Sequence, residues 1–268
     1  MVTATVEEEE AERAHGAPSV FLRSLEWRAG LEYGAMLTSY PALRMAPHGD
    51  GHPVLVLPGL GGGDRSTRPL RSYLDELGYS SYGWGLGVNF GPTDKVLDRL
   101  PERLADLGGH HDEPVSLIGW SLGGIYAREL ARREPAAVRQ VITLGSPFNQ
   151  AQQRATHATR VYDALGRFHS PRLSDEVPAG VERLPLPVPA TSIFTRTDGV
   201  VAWQSCIQEP DGRHENVEVW GSHVGLGVNP AVLFVIADRL AQPQGTWEPY
   251  RPMSTLERFL PPLHPYRS

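Results

Sequence analysis

The chain has 268 residues, enough for one large α/β domain that buries a sheet between helix layers. Its net charge is −6 and its 25 Lys and Arg residues are scattered, which excludes the basic stripe that a nucleic-acid partner requires. One cysteine, Cys206, rules out an intramolecular disulfide, gives no sign of an oxidising compartment and reads as a small apolar packing residue.

In chain order, residues 1–15 form an acidic stretch, including Glu7 to Glu10, that reads as a disordered, solvated tail ahead of a single domain over 16–268. It lacks a basic region followed by an apolar one, and no later run approaches the roughly 20 apolar residues of a spanning helix, so a soluble, cytoplasmic protein is expected. Leu22, Leu25, Ala29, Tyr33, Met36, Tyr40 and Leu43 recur at the spacing of one helix face until Pro41 interferes. That stripe is expected to dock on the domain's own core; a homodimer face and a peripheral lipid contact are the alternatives.

From His52 onward short β-branched or apolar runs alternate with helix-period segments, the pattern of a mostly parallel sheet covered on both faces. Strands are predicted at 53–57, 80–86, 115–120, 140–144, 191–195 and 217–220. Helices between them carry the stripes Leu70, Tyr73, Leu74, Leu77, then Leu97, Leu100, Leu104, Leu107, then Leu122, Ile125, Leu130, from which Glu129 departs. Pro101 is expected to kink the second. A last helix after Asn229-Pro230 presents Val232, Val235, Ile236 and Leu240. Residues 148–189 break the alternation with one helical stripe and a proline-rich end, and read as a cap insertion over a site. The chain from Thr246 on reads as an extended segment on the surface.

Gly119-Trp120-Ser121-Leu122-Gly123 closes the apolar strand at 115–118 and opens a helix. A bare match of this kind arises by chance roughly 0.2 times in such a chain, so the strand–turn–helix context carries the signal. A serine on so tight a turn is strained, and the flanking positions must be free of side chains for strand and helix to approach. A serine hydroxyl needs a neutral imidazole to take its proton and a carboxylate to orient that imidazole, in the chain order Ser, Asp or Glu, His. Asp198 follows a strand-like run at 191–195; Asp175, Glu209 and Asp211 have less strand-like surroundings. Of the five histidines after Ser121, namely His157, His169, His214, His223 and His264, only His223 lies between a late strand and the final helix. Backbone N–H groups for a developing oxyanion are expected at Leu122, after the serine, and at Leu60 in the turn Pro58-Gly59-Leu60-Gly61-Gly62-Gly63. That turn lacks the Gly-Lys-Ser/Thr ending of a phosphate loop.

Together 54–62, 119–124, 197–201 and 222–226 resemble the α/β-hydrolase superfamily, and within it the bacterial esterase and lipase group similar to EstA-type triacylglycerol lipases. The resemblance covers roughly 52–241 and implies the α/β-hydrolase fold, with Ser121 as nucleophile, Asp198 as acid, His223 as base, and Leu60 and Leu122 as oxyanion donors. Where that group often has His-Gly, this chain has Pro58-Gly59, which removes a polar side chain beside the donor turn. Trp120, Phe148 and Trp203 are candidates to line an apolar acyl pocket, although any one of them reads more readily as core than as pocket. The expected activity is hydrolysis of a small-molecule or lipid ester, with no cofactor and no metal. Acyl transfer and thioester cleavage use the same residues, and a non-catalytic binding role for the fold is the alternative from another class.

Overall fold

In the computed structural model residues 18–149, 185–251 and 264–265 are described. The predicted tail at 1–15 and most of the cap, 150–184, lie outside the described residues. Seven strands form one sheet: β1 (Pro53–Leu57), β2 (Ser80–Gly83), β3 (Val115–Trp120), β4 (Val138–Leu144), β5 (Ala190–Phe194), β6 (His214–Glu218) and β7 (His264–Pro265). Their order is β2-β1-β3-β4-β5-β6-β7, with all pairs parallel except the antiparallel β6–β7 edge.

Every residue of β1 and β5 is buried, as a parallel sheet covered on both faces requires. Alternation along β1 sends Val54 and Val56 into one cluster and Leu55 and Leu57 into the other. The first cluster is closed by α2 (Ala29–Leu43), α3 (Arg68–Glu76) and α6 (Pro230–Leu240), the second by α4 (Asp94–His111) and α5 (Leu122–Arg133). A short α1 (Val20–Ser24) precedes α2, separated from it by a 3-10 turn at Glu26–Arg28.

Several boundaries differ from expectation, each for a local reason. β2 stops at Gly83 rather than residue 86, because Gly85 (φ 74°) and Gly87 (φ 89°) turn the chain while Trp84 is buried and its indole donates to Gly87 O. β6 starts at His214 rather than residue 217; its first three residues are polar yet buried, each paired: His214 with Asp211, Glu215 with Thr191, Asn216 with Gln208. In α4 the chain buries Val96 instead of Leu97, with Thr93 capping Val96 N–H, and the helix runs on through Pro101.

The N-terminal stripe is corrected most. It is not one helix face: α1 and α2 are offset by the 3-10 turn, Pro41 sits in the last turn without ending α2, and only Met36 and Leu43 are buried. Tyr33 is exposed, as are Trp27, Leu31 and Leu37. At the other end Tyr250 is buried and its N–H donates to Glu215, so the tail from Thr246 is anchored before β7 pairs with β6. Of the expected cap, Phe148, Leu186 and Val188 are buried, the last two in the second cluster. No helix among the described residues is long and apolar enough to cross a membrane.

Candidate active site

The chain reverses direction across the sheet at β1: β2 lies on one side of it and β3 on the other. Such a switch point opens a crevice at the carboxyl ends of the strands. The turn after β1 and the turn after β3 flank that crevice, and the loops after β4, β5 and β6 open at the same edge.

Ser121 sits between β3 and α5 with φ 53° and ψ −119°, one of two non-glycine residues at positive φ among those described. Its N–H donates to Leu144 O at 2.8 Å, which ties the turn to β4. The motif glycines are sterically required: a Cβ on Gly119 would lie 2.3 Å from Gly124 Cα, and one on Gly123 would lie 2.3 Å from Leu57 O. Gly124 extends the requirement, since its Cβ would meet Ser146 Oγ at 2.0 Å. The strain is therefore held by close packing of β3, α5 and β1.

His223, in the loop after β6, places Nε2 3.1 Å from Ser121 Oγ and Nδ1 2.7 Å from Asp198 Oδ2. Asp198, after β5, is 2% exposed, and its Oδ1 accepts from Val200 N–H at 2.8 Å and Val201 N–H at 2.7 Å. A carboxylate only accepts, so Nδ1 carries the proton and Nε2 is left as the acceptor facing the serine hydroxyl. Burial works against a charged His223, but the Asp198 charge and hydrogen bond, with the charge of Glu26, outweigh it and raise the pKa above the ordinary 6.5. A Cβ on Gly145, at the end of β4, would lie 3.1 Å from His223 Nδ1, so this glycine makes room for the His–Asp pair.

The turn after β1 touches the serine: a Cβ on Gly59 would lie 3.2 Å from Ser121 Cβ. Buried Asn89 pins it, donating to Pro58 O at 2.8 Å, while Gly61 N–H donates to Asn89 O and Asn89 N–H to Gly62 O. Among the described residues neither Leu60 N–H nor Leu122 N–H donates to an acceptor.

The three aromatic candidates are not brought together as one wall. Trp120 donates from its indole to His223 O at 3.1 Å and packs on Gly227, so it buttresses the histidine loop. Phe148 is buried with the Arg128 guanidinium 3.8 Å above its ring. Trp203 stacks on Phe194 and lies under Arg196, in a small cluster with Val201 and Cys206.

A second serine–histidine–aspartate chain lies before the other ends of the strands. His52 Nε2 is 2.9 Å from Ser116 Oγ, and its Nδ1 pairs with Asp50, which Arg139 also holds. Ser116 is fully buried within β3, so no substrate carbonyl reaches it. Burial lowers the His52 pKa, against the opposing pull of Asp50.

A mostly parallel sheet with helices on both faces, reversing at β1 and carrying a strained serine between β3 and the following helix, is the architecture of the α/β-hydrolase fold. Residues 102–186 match the PGAP1-like alpha/beta domain family, a span that contains Ser121 and ends before Asp198. The chain is 31% identical over 107 residues to a Yersinia enterocolitica protein provisionally named as the carbamate hydrolase RutD, covering 38% of each. It is 29% identical over 111 residues to the pimeloyl-[acyl-carrier protein] methyl ester esterase of Legionella pneumophila, covering 39% of this chain and 42% of that one. The chain thus spans about two fifths of the length of these curated relatives. Lipase B of Aspergillus fumigatus superposes with a TM-score of 0.56 at 17% identity, over 75% of this chain and 57% of that one.

Sequence reasoning missed Glu26, Glu32, Asn89 and Gly145. A signal for one of them was present: Glu32 is the only charged residue between Ala29 and Leu43, an acid in an otherwise uncharged helix.

Proposed function

We propose that the chain is a serine hydrolase that cleaves carboxylic esters with an apolar acyl group through an acyl-serine intermediate. The observation that carries this reading is Ser121 Oγ 3.1 Å from His223 Nε2, with Asp198 2.7 Å from Nδ1, on a serine held at positive φ. Ser121 Oγ attacks the ester carbonyl as its proton passes to Nε2; the imidazolium is stabilised by Asp198 and then gives that proton to the departing alkoxide. A water next gives its proton to Nε2, attacks the acyl-serine carbonyl, and releases the free acid while the proton returns to Ser121. Leu60 and Leu122 N–H groups are the donors assigned to the oxyanion in both tetrahedral intermediates.

The names of the relatives support ester-type chemistry: one is a methyl ester esterase, and the fold is shared with a lipase. The reading is tested by turnover of a p-nitrophenyl ester series from acetate to palmitate, with fluorophosphonate labelling followed by peptide mapping. The expected result is turnover with release of free acid and a single label on Ser121. Absence of both turnover and labelling in the folded protein would refute hydrolysis and favour a binding role.

A further inference from the structure

The segment before β1 stands outside the strand–helix alternation, yet it reaches both loops that carry Asp198 and His223. Glu26 Oε1 accepts from Gly199 N–H at 2.8 Å and His223 N–H at 3.1 Å, and its Oε2 accepts from Val224 N–H at 2.9 Å. Glu32 Oε1 accepts from Ser222 N–H and Ser222 Oγ, both at 2.7 Å, and Oε2 from Asn229 Nδ2 at 3.0 Å. Between them Arg28 donates to Thr197 O at 3.1 Å and Gly221 O at 3.4 Å. These are charge-assisted hydrogen bonds, the stronger kind, and all but those from Ser222 Oγ and Asn229 Nδ2 are to backbone groups.

The glycines of the two loops carry the imprint of this docking. A Cβ on Gly199 would lie 2.5 Å from Leu22 O, one on Gly221 2.9 Å from Glu32 Oε2, and one on Gly225 2.3 Å from Glu32 Oε2. Only side-chain-free positions around Asp198 and His223 let the N-terminal helices come this close.

We infer that Glu26 is a positioning residue for His223: its carboxylate ties the Asp198 loop to the His223 loop and sets Nε2 against Ser121 Oγ. The inference rests on the serine-hydrolase reading above. Three N–H groups share two carboxylate oxygens, and a glutamine offers one acceptor oxygen, so the amide turns an NH₂ against either Val224 N–H or the Gly199 and His223 N–H pair, and loosens the His223 loop in both cases. The groups facing His223 are Asp198, Ser121 and Glu26, while Glu32 is held on Ser222 and Arg28 on Gly221 O. Burial disfavours the imidazolium, and Glu26 is one of the negative charges that restore it.

The test compares E26Q and E26D with wild type by kcat, KM, the pH profile of kcat/KM and thermal unfolding. E26Q is expected to lower kcat by about 10- to 100-fold with KM unchanged, the scale of a small misplacement of a catalytic group, and to move the acid limb to lower pH. E26D, which keeps the charge at shorter reach, is expected to lose rate while its acid limb stays in place; it carries the comparison if E26Q does not fold. An E26Q enzyme with wild-type kcat and acid limb overturns the inference, and so does one that is only less stable, with both unchanged at a temperature where it is folded. Absence of ester turnover and of Ser121 labelling in the wild type would instead overturn the reading of the site on which the inference rests.

Discussion

Replacing Asp198 with asparagine separates orientation of the histidine from mere occupancy of its neighbour's place. Asp198 Oδ1 accepts from Val200 and Val201 N–H at 2.8 and 2.7 Å, both backbone donors that cannot turn away. An asparagine must keep its single oxygen there, which leaves its NH₂ facing His223 Nδ1. The imidazole then accepts at Nδ1 and carries its proton on Nε2, pointed at Ser121 Oγ, the wrong tautomer for a base. On the precedent of such replacements kcat falls about 10⁴-fold, or about 5.5 kcal/mol of transition-state stabilisation. The assay is steady-state hydrolysis of a p-nitrophenyl ester, with the rate of fluorophosphonate labelling as a second readout and thermal unfolding as the folding control. A folded D198N variant within tenfold of wild type would refute the reasoning and move the acid to another residue.

Ser121→Ala is expected to lose about 10⁶-fold in kcat and all active-site labelling while folding normally, measured by single-turnover kinetics. The raised His223 pKa sets the acid limb of kcat/KM above pH 6.5: as pH falls through it the imidazole protonates and can no longer accept from Ser121, so a midpoint at or below 6.5 contradicts the balance of charges described around His223. In stability the same shift has the opposite sense: the contribution of the protonated pair is complete below pH 6.5 and is lost as pH rises through the folded-state value, as denaturant titrations across pH would show. Gly123→Ala drives a Cβ against Leu57 O, backbone that cannot give way freely, and is expected to cost about 1–3 kcal/mol in chemical denaturation along with activity. Ser116→Ala leaves the ester turnover within twofold of wild type but strands His52 Nε2, costing about 1–3 kcal/mol of stability; a large loss of turnover would point to Ser116 instead.

Strand ends were legible because strand-like runs such as 115–118 and 191–195 stop where the loops of Ser121 and Asp198 begin, and loops after parallel strands all open on one edge. That is why Ser121, Asp198 and His223 could be picked from the residue pattern, and the structure brings these three into hydrogen-bonding reach. β6 was harder to read, since His214, Glu215 and Asn216 are buried through partners that periodicity does not reveal. The N-terminal segment was misread for the same reason: α2 keeps Leu31 and Leu37 exposed while Glu32 points inward, because hydrogen bonds to Ser222 and Asn229 decide the docking as much as apolar burial. Pairs such as Glu26 with His223 lie too far apart in sequence for local pattern to connect them. Trp120 next to the serine suggested an acyl pocket, yet its indole reaches the His223 carbonyl.

The central claim is an acyl group carried on Ser121, and rapid acid quench of the enzyme during ester turnover, followed by peptide mass analysis, tests it directly. The account predicts an adduct of the acyl mass on the peptide containing Ser121, absent from Ser121→Ala. Turnover with the adduct on another residue, or with wild-type rates in Ser121→Ala, would contradict it.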